Sequence, residues 1–258
     1  MMAQDAQPVL EVDGLKVHYG GVHAVDGVSF SVGSGVLCGI VGPNGSGKTT
    51  LVNAISALTH ITEGEIRLAG SVISGLSASR IARLGVRRTF QAIRLLPDLD
   101  VIENVMLGAD DGGTPLDSAF RPFRAAKAQA RARAAALEAL DRVGLADYAE
   151  LEPGALPYGF QRRVEIARAL ASAPQLLLLD EPVAGMNPRE REEVAELLLA
   201  LRAEGLTQVL IEHDLGLVTR VCDEIVVMDF GKVIASGDPV ETTRNEQVRE
   251  AYLGRKHA

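Results

Sequence analysis

The sequence predicts an α/β fold in which strands alternate with helices around a mostly parallel sheet, interrupted by a helical lobe. Three observations predict it. The apolar runs "GVLCGIVG", "QLLLLDEP" and "TQVLIEHD" have the length and bulk of strands buried on both faces. Helical patterns separate these runs in the chain. An Ala-rich stretch from about residue 97 to 173 carries helical rather than strand periodicity.

Residues 9 to 40 read as short strands parted by glycine turns, closing on the apolar run before Gly42. "GKTTLVNAISAL" sets Leu51, Ile55 and Leu58 at helical spacing, and "GEIRLAGSVI" returns to short strands around a Gly turn. "AAKAQARARAAALEALDRVGL" is a strong helix by propensity, closed at Gly144. Between the last two buried runs, Asn187 can cap a helix whose first turn holds Pro188 and the acids Glu190, Glu192 and Glu193. Val194, Leu197, Leu198 and Leu201 form its apolar face before Gly205. "DEIVVMDFGKVIASGDP" reads as a strand pair turning at Gly231, followed by a short helical tail.

The chain has 258 residues, of which 47 % are apolar, enough for a full core in one domain over 1–258 with the helical lobe inserted at about 97–173. A net charge of -8 argues against a surface that neutralises nucleic-acid phosphates. Cys38 and Cys222 make no disulfide framework and read as two reduced core residues. The start "MMAQDAQPVLEVDG" lacks the features of a secretory signal, and no apolar run reaches the roughly 18 to 20 residues that span a bilayer. If the protein works at a membrane, another component must hold it there.

The strongest chemical signal is "GPNGSGKTT", comprising Gly42, Pro43, Asn44, Gly45, Ser46, Gly47, Lys48, Thr49 and Thr50. It follows a predicted strand and opens a predicted helix, the context in which glycine N–H groups, a helix N-terminus and a lysine cradle phosphate while a hydroxyl faces Mg²⁺. A fully apolar strand then delivers Asp180 as a metal ligand and Glu181 as a general base facing a water beside the γ-phosphate. His213 ends the strand of "IEHD", where its imidazole could bond the γ-phosphate or the attacking water; Gln91 ends a shorter strand in "TFQ", where an amide could touch Mg²⁺ and water. Taken singly, these last two fit structural roles as readily.

In order and spacing, these residues resemble the ATPase subunit of an ABC transporter, over nearly the whole chain. The pattern includes Tyr19 in "VHYGG", the loop at 42–50, Gln91, a signature segment at Pro157, Tyr158, Gly159, Phe160 and Gln161, then Asp180-Glu181, "AGMNP" and His213. The resemblance implies a P-loop NTPase with a RecA-like, mostly parallel core, an antiparallel β portion and an inserted helical lobe. It implies ATP and Mg²⁺, with Tyr19 stacked on adenine and the signature segment facing the ATP of a partner chain. Within the family, "RRTFQAIRLLPDLDVIENVMLGA", "RRVEIARAL", "DEPVAGMNPRE", "IEHDLGLV", the final "AYLG" and the longer stretch after Gly108 are similar to ATPases of branched-chain amino acid importers. That subgroup implies permease subunits, a second ATPase in a heterodimer (or a homodimer when the chain is alone), an extracytoplasmic solute-binding protein, and a peripheral place on the cytoplasmic face of the membrane. The longer insertion suggests the larger of the two ATPases.

The family's segment usually reads Leu-Ser-Gly-Gly-Gln, so Pro157, Tyr158 and Phe160 depart from it. Proline removes a hydroxyl and a backbone donor together, although it suits a helix start. The departure is either a tolerated variant or the mark of a weaker second ATP site. Arg121, Arg124, Lys127, Arg131 and Arg133 form a basic helix face that reads as solvated, whereas "QAIRLLPDL" is the better candidate for a permease contact. Other cargo, such as urea or a lipid-linked glycan, and a soluble ATPase acting on DNA or the ribosome are the competing readings. The latter usually carries a coiled-coil insertion or a tandem ATPase domain, and this chain has neither. A regulator that binds without hydrolysing is disfavoured by the joint presence of Lys48, Asp180, Glu181 and His213.

Overall fold

The computed structural model describes residues 7–109 and 122–253. Arg121, and Gly254 of the closing "AYLG", lie outside the described residues. The chain divides into two compact units: Met1–Arg88, Gln175–Glu181 and Ala195–Ala258 form the first, and Thr89–Pro174 with Pro182–Val194 the second.

The first unit holds two sheets. Strands β1 (Leu10–Tyr19), β2 (Val22–Val32), β4 (Glu63–Leu68) and β5 (Ser71–Val72) form an antiparallel sheet in the order β2-β1-β4-β5. The segment expected as several short strands is therefore two long ones. Gly14 and Gly27 lie inside them at positive φ of 55° and 75°, and the ladder shifts register on both sides of Leu15 instead of turning.

The second sheet runs β10-β9-β3-β8-β7-β6, built from β3 (Leu37–Val41), β6 (Val86–Arg88), β7 (Leu176–Asp180), β8 (Thr207–Ile211), β9 (Glu224–Asp229) and β10 (Lys232–Gly237). All its pairs are parallel except β9 with β10 at one edge. Every residue of β3, β7 and β8 is buried, as continuous apolar runs require of strands covered on both faces. Strand β8 lies between β3 and β7, so the ends of three neighbouring parallel strands face one edge.

Helix α1 (Lys48–Ile55) follows β3 and packs Leu51, Val52 and Ile55 into the core. It stops before Leu58, which is 51 % exposed rather than buried on the helix face as expected. Ser56 Oγ donates to the Val52 carbonyl at 2.7 Å and Ala57 takes a left-handed φ of 53°, which ends the helix. Helices α2 (Ala78–Arg83), α7 (Leu215–Val221), α8 (Pro239–Thr243) and α9 (Glu246–Leu253) complete this unit.

The second unit contains α3 (Val101–Met106), α4 (Pro122–Arg142) and α5 (Tyr158–Leu170). Asp100 and Glu103 close a reciprocal capping box at the start of α3. Gly144, at φ 68°, donates its N–H to the Asp141 carbonyl where α4 ends. On α4, Lys127 and Arg131 are exposed, and Arg133 reaches Glu150 at 2.6 Å, so this face is solvated. Helix α6 (Pro188–Ala203) starts as expected: Asn187 Oδ1 accepts from the N–H groups of Arg189 and Glu190, and Glu190 Oε2 accepts from the Asn187 N–H at 3.0 Å. Val194, Leu197, Leu198 and Leu201 are its buried face.

Candidate active site

Strand β3 releases the chain into a loop that only glycine can follow at two points. A Cβ on Gly42 (φ 151°) would lie 2.1 Å from the Met228 carbonyl oxygen, and one on Gly47 (φ 102°) 2.2 Å from that of Ala24. Gly45, at φ 79°, instead faces open space. Gly47 is also the N-cap of α1, which has no side-chain cap and no acidic residue in its first turn. A helix start without a side-chain cap is the arrangement that binds phosphate.

Lys48 is buried and folds back over the loop, donating to the carbonyls of Gly42 at 2.7 Å and Pro43 at 3.0 Å. Ser46 is fully buried, and its Oγ has no hydrogen-bond partner. A buried orphan hydroxyl inside a ring of glycines is the signature of a cradle built for a polar ligand. The loop opens on a cavity of about 370 Å³ lined by Asn44 to Thr50, Val22, His23, Ala24, Phe230, Gly231 and Glu181.

The other strand ends supply the acids and the imidazole. Asp180 ends β7, and its Oδ2 accepts from Arg88 Nη2 at 2.7 Å, each side chain being 7 % exposed. The same guanidinium donates through Nη1 to Asn53 Oδ1 at 2.6 Å and Ser56 Oγ at 3.1 Å, which ties β6, β7 and α1 together. Glu181 takes a left-handed φ of 46°, strained for a residue with a side chain. Its N–H donates to the Ile211 carbonyl at 3.0 Å, so β8 holds the bend that presents its carboxylate to the cavity. His213 follows β8, with Nδ1 3.8 Å from Glu181 Oε1. Asp214 next to it caps α7 by accepting from Gly216 and Leu217, which stabilises the turn carrying the imidazole.

Tyr19 ends β1, half exposed, with its hydroxyl 2.5 Å from Thr59 Oγ1. On that side the cavity wall is Val22, His23 and Ala24. Cys38 and Cys222 are buried free thiols, and burial pushes both up, so neither is a nucleophile.

Gln91 and the signature segment belong to the second unit. Pro157 is the N-cap of α5, exposed like Tyr158, and its carbonyl accepts the N–H groups of Phe160 and Gln161. The Gly159 Cα faces Glu190, whose carboxylate would lie 3.0 Å from an added Cβ. Phe160 stacks edge-on against Tyr148 at 5.2 Å, with the Arg163 guanidinium 4.4 Å above its ring. Gln161 Nε2 donates to the Leu156 carbonyl at 2.9 Å. Phe160 and Gln161 are therefore engaged within their own unit.

Three residues with no sequence signal shape these segments. Arg162 is completely buried and donates to the carbonyls of Phe90 and Gln91, to Glu165 Oε2 at 2.9 Å and to the Tyr158 hydroxyl. It fastens the start of α5 to the Gln91 backbone. Arg88 fastens Asp180. Phe230, 75 % exposed at φ 44°, lines the cavity from the β9–β10 turn. Arginines in "RR" pairs look like surface charge, and only the tertiary packing distinguishes these two.

A glycine loop after β3, paired acids at the end of β7 and an imidazole after β8 fit a P-loop nucleotide-hydrolysing cassette. Comparison with known proteins makes the class more specific: residues 25–184 match the family model described as ABC transporter, and residues 232–258 that of the branched-chain amino acid ATP-binding cassette transporter. The chain belongs to the ABC transporter family of ATP-hydrolysing, nucleotide-binding subunits. It is 40 % identical over 252 residues to the high-affinity branched-chain amino acid transport ATP-binding protein BraF of Pseudomonas aeruginosa, covering 96 % of this chain and 99 % of that one. It is 41 % identical over 254 residues to LivG of Escherichia coli, with the same coverage. A solved ADP conformation of an ABC transporter cassette superposes with a TM-score of 0.85 at 32 % identity, covering 96 % of this chain and 99 % of that one. Among the described residues, no helix is long and apolar enough to cross a membrane.

Proposed function

We propose that this chain hydrolyses ATP at the β3, β7 and β8 strand ends to drive an importer of branched-chain amino acids. The observation that carries the catalytic part is the strained bend at Glu181, held by Ile211, which aims a carboxylate into the cavity that Lys48 and Thr49 line. A backbone strained at one residue persists only where the surrounding structure over-determines it, and such residues cluster at active sites.

In this reading the loop N–H groups from Asn44 to Thr50 and the Lys48 ammonium hold the β- and γ-phosphates. Lys48 exchanges its carbonyl acceptors for phosphate oxygens on binding. Glu181 takes a proton from a water, the water oxygen bonds to the γ-phosphorus, and the bond to the ADP oxygen breaks. His213, beside Glu181, orients that water or the γ-phosphate. Thr49, Asp180 and Gln91 would hold Mg²⁺, which when bound neutralises charge on the phosphates. The orphan Ser46 hydroxyl and the uncapped start of α1 fit such a polyanion. Tyr19 supplies the adenine platform.

The cargo rests on the names of the relatives and the match at 232–258. The chain then works as a peripheral subunit on the cytoplasmic face, with permeases, a second ATPase and an extracytoplasmic binding protein. Partly exposed Ile93 and Leu95 and exposed Leu96 in "QAIRLLPDL" offer an apolar surface to a permease. Pro157 to Gln161 would meet the ATP of the second ATPase subunit.

The test is Glu181→Gln. Hydrolysis should fall about 10²–10⁴-fold, the worth of a general base, while ATP binding stays within a few-fold of wild type. Retained hydrolysis would remove Glu181 from this role. Uptake of leucine by vesicles holding the assembled complex, lost with Lys48→Ala, tests the cargo separately.

A further inference from the structure

Outside the cradle, the described residues bring two imidazoles and a carboxylate together on the β1–β2 hairpin. His18 and His23 are directly opposite in the register, with rings stacked 3.9 Å apart and 13° from parallel. His18 Nε2 lies 3.9 Å from Asp26 Oδ1, and one ligand atom from each of the three residues lies within 4.8 Å of the others.

Regular alternation would not produce this set. His23 and Asp26 are three positions apart on one strand and should point to opposite faces. The ladder pairs Val17 with Val25 and then His18 with His23, so Ala24 is an extra residue in β2. That bulge reverses the alternation: Val25 is buried in the core, while His23 and Asp26 both emerge on the outer face beside His18. Bulges often re-aim side chains in this way at functional positions.

We propose that His18, His23 and Asp26 form a binding site for a transition-metal cation of the zinc class, on the outer wall of the nucleotide cavity. Two imidazole nitrogens and one carboxylate oxygen are a donor set for zinc, copper or nickel rather than for magnesium or calcium. Three protein ligands leave a position for water. Bonds of about 2.0–2.1 Å place tetrahedral ligands about 3.3 Å apart, so the three atoms close by no more than about 1.5 Å, within reach of side-chain rotation.

The surroundings prepare the ligands. His18 Nε2 is buried and has no hydrogen-bond partner, a lone donor or acceptor facing the cluster. Lys232 Nζ sits 3.3 Å from Asp26 Oδ2, which leaves Oδ1 toward the imidazoles. Lys16, opposite Asp26 in the ladder, is drawn to Glu63 at 2.6 Å.

The site shares its scaffold with the cradle. His23 lines the nucleotide cavity, the Asp26 N–H donates to the Gly231 carbonyl at 2.8 Å, and the Gly231 N–H donates to the Ser46 carbonyl at 3.0 Å. A bound cation would clamp β1 to β2 at the hairpin that carries Tyr19.

The test titrates Zn²⁺ by calorimetry, and Co²⁺ by visible absorption, into the full nucleotide-free chain without Mg²⁺. Wild type should bind one equivalent saturably, show cobalt d–d bands and rise in melting temperature with Zn²⁺. His18→Gln and His23→Gln should each weaken binding at least tenfold, and the double variant should lose the bands and the thermal shift. Should His18→Gln fold poorly, the exposed His23→Gln decides alone. Absence of a saturable equivalent in wild type, or binding that survives the double variant through other histidines such as His60, overturns the site.

Discussion

Replacing Arg88 with methionine isolates the pair at the end of β7. Arg88 and Asp180 are each 7 % exposed and 2.7 Å apart, and Asn53 and Ser56 share the same guanidinium. Deleting one member strands a buried carboxylate, which costs about 3–5 kcal/mol, much more than the value of a surface pair. In a chain of this size each kcal/mol moves the melting temperature by about 2–4 °C, so Arg88→Met should lower it by roughly 6–20 °C. The assay is thermal denaturation of the nucleotide-free protein for Arg88→Met, Asp180→Leu and the double variant. If desolvation dominates, the double variant, with an apolar pair in the same space, should be more stable than Arg88→Met alone. A shift below about 2 °C for Arg88→Met, or a double variant that loses the sum of the singles, would refute the reasoning.

Further predictions concern the loop, the tail and the signature. Gly47→Ala should weaken ATP binding and lower stability more than Gly45→Ala, because its Cβ meets the Ala24 carbonyl at 2.2 Å whereas Gly45 meets nothing within 4 Å; paired binding titrations and melts compare them. Burial pushes the Tyr252 phenol from 10.0 up to about 12. The neutral phenol thus favours folding fully below about pH 10, and this contribution is lost as pH rises through about 12. Tyr252→Phe should remove that part of the alkaline limb in a melting-temperature profile, and an unchanged slope would exclude Tyr252 as its source. Pro157→Ser should restore a hydroxyl at the N-cap of α5, contributing about 1 kcal/mol to the helix. It should also tighten ATP-dependent dimerisation of the isolated chain by sedimentation; no change or loosening would mean that proline costs no contact there.

Much of the cradle was legible in the sequence because its chemistry is local. Gly42 to Thr50 lie in one continuous segment between a strand and a helix, and the apolar runs before Asp180 and His213 announce strands whose ends share an edge. Leu58 was misplaced because a single side-chain bond from Ser56 and the left-handed Ala57 stop α1 early, and apolar spacing does not register such a stop. The β1 and β2 lengths were underestimated because Gly14 and Gly27 serve as irregularities inside a ladder, and composition does not separate a bulge from a turn.

By itself, then, the amino-acid order determined the elements proposed to carry phosphate chemistry, since turn geometry and burial of whole strands depend on residues near one another in the chain. Only tertiary structure decided which charges are interior. Arg88 meets Asp180 across 92 positions and Arg162 meets Phe90 across 72, pairings between residues far apart in the chain. It also decided that one extra residue at Ala24 turns His23 toward His18 and Asp26. Desolvation and strand register are properties of the folded neighbourhood, and no local pattern of residue types encodes them.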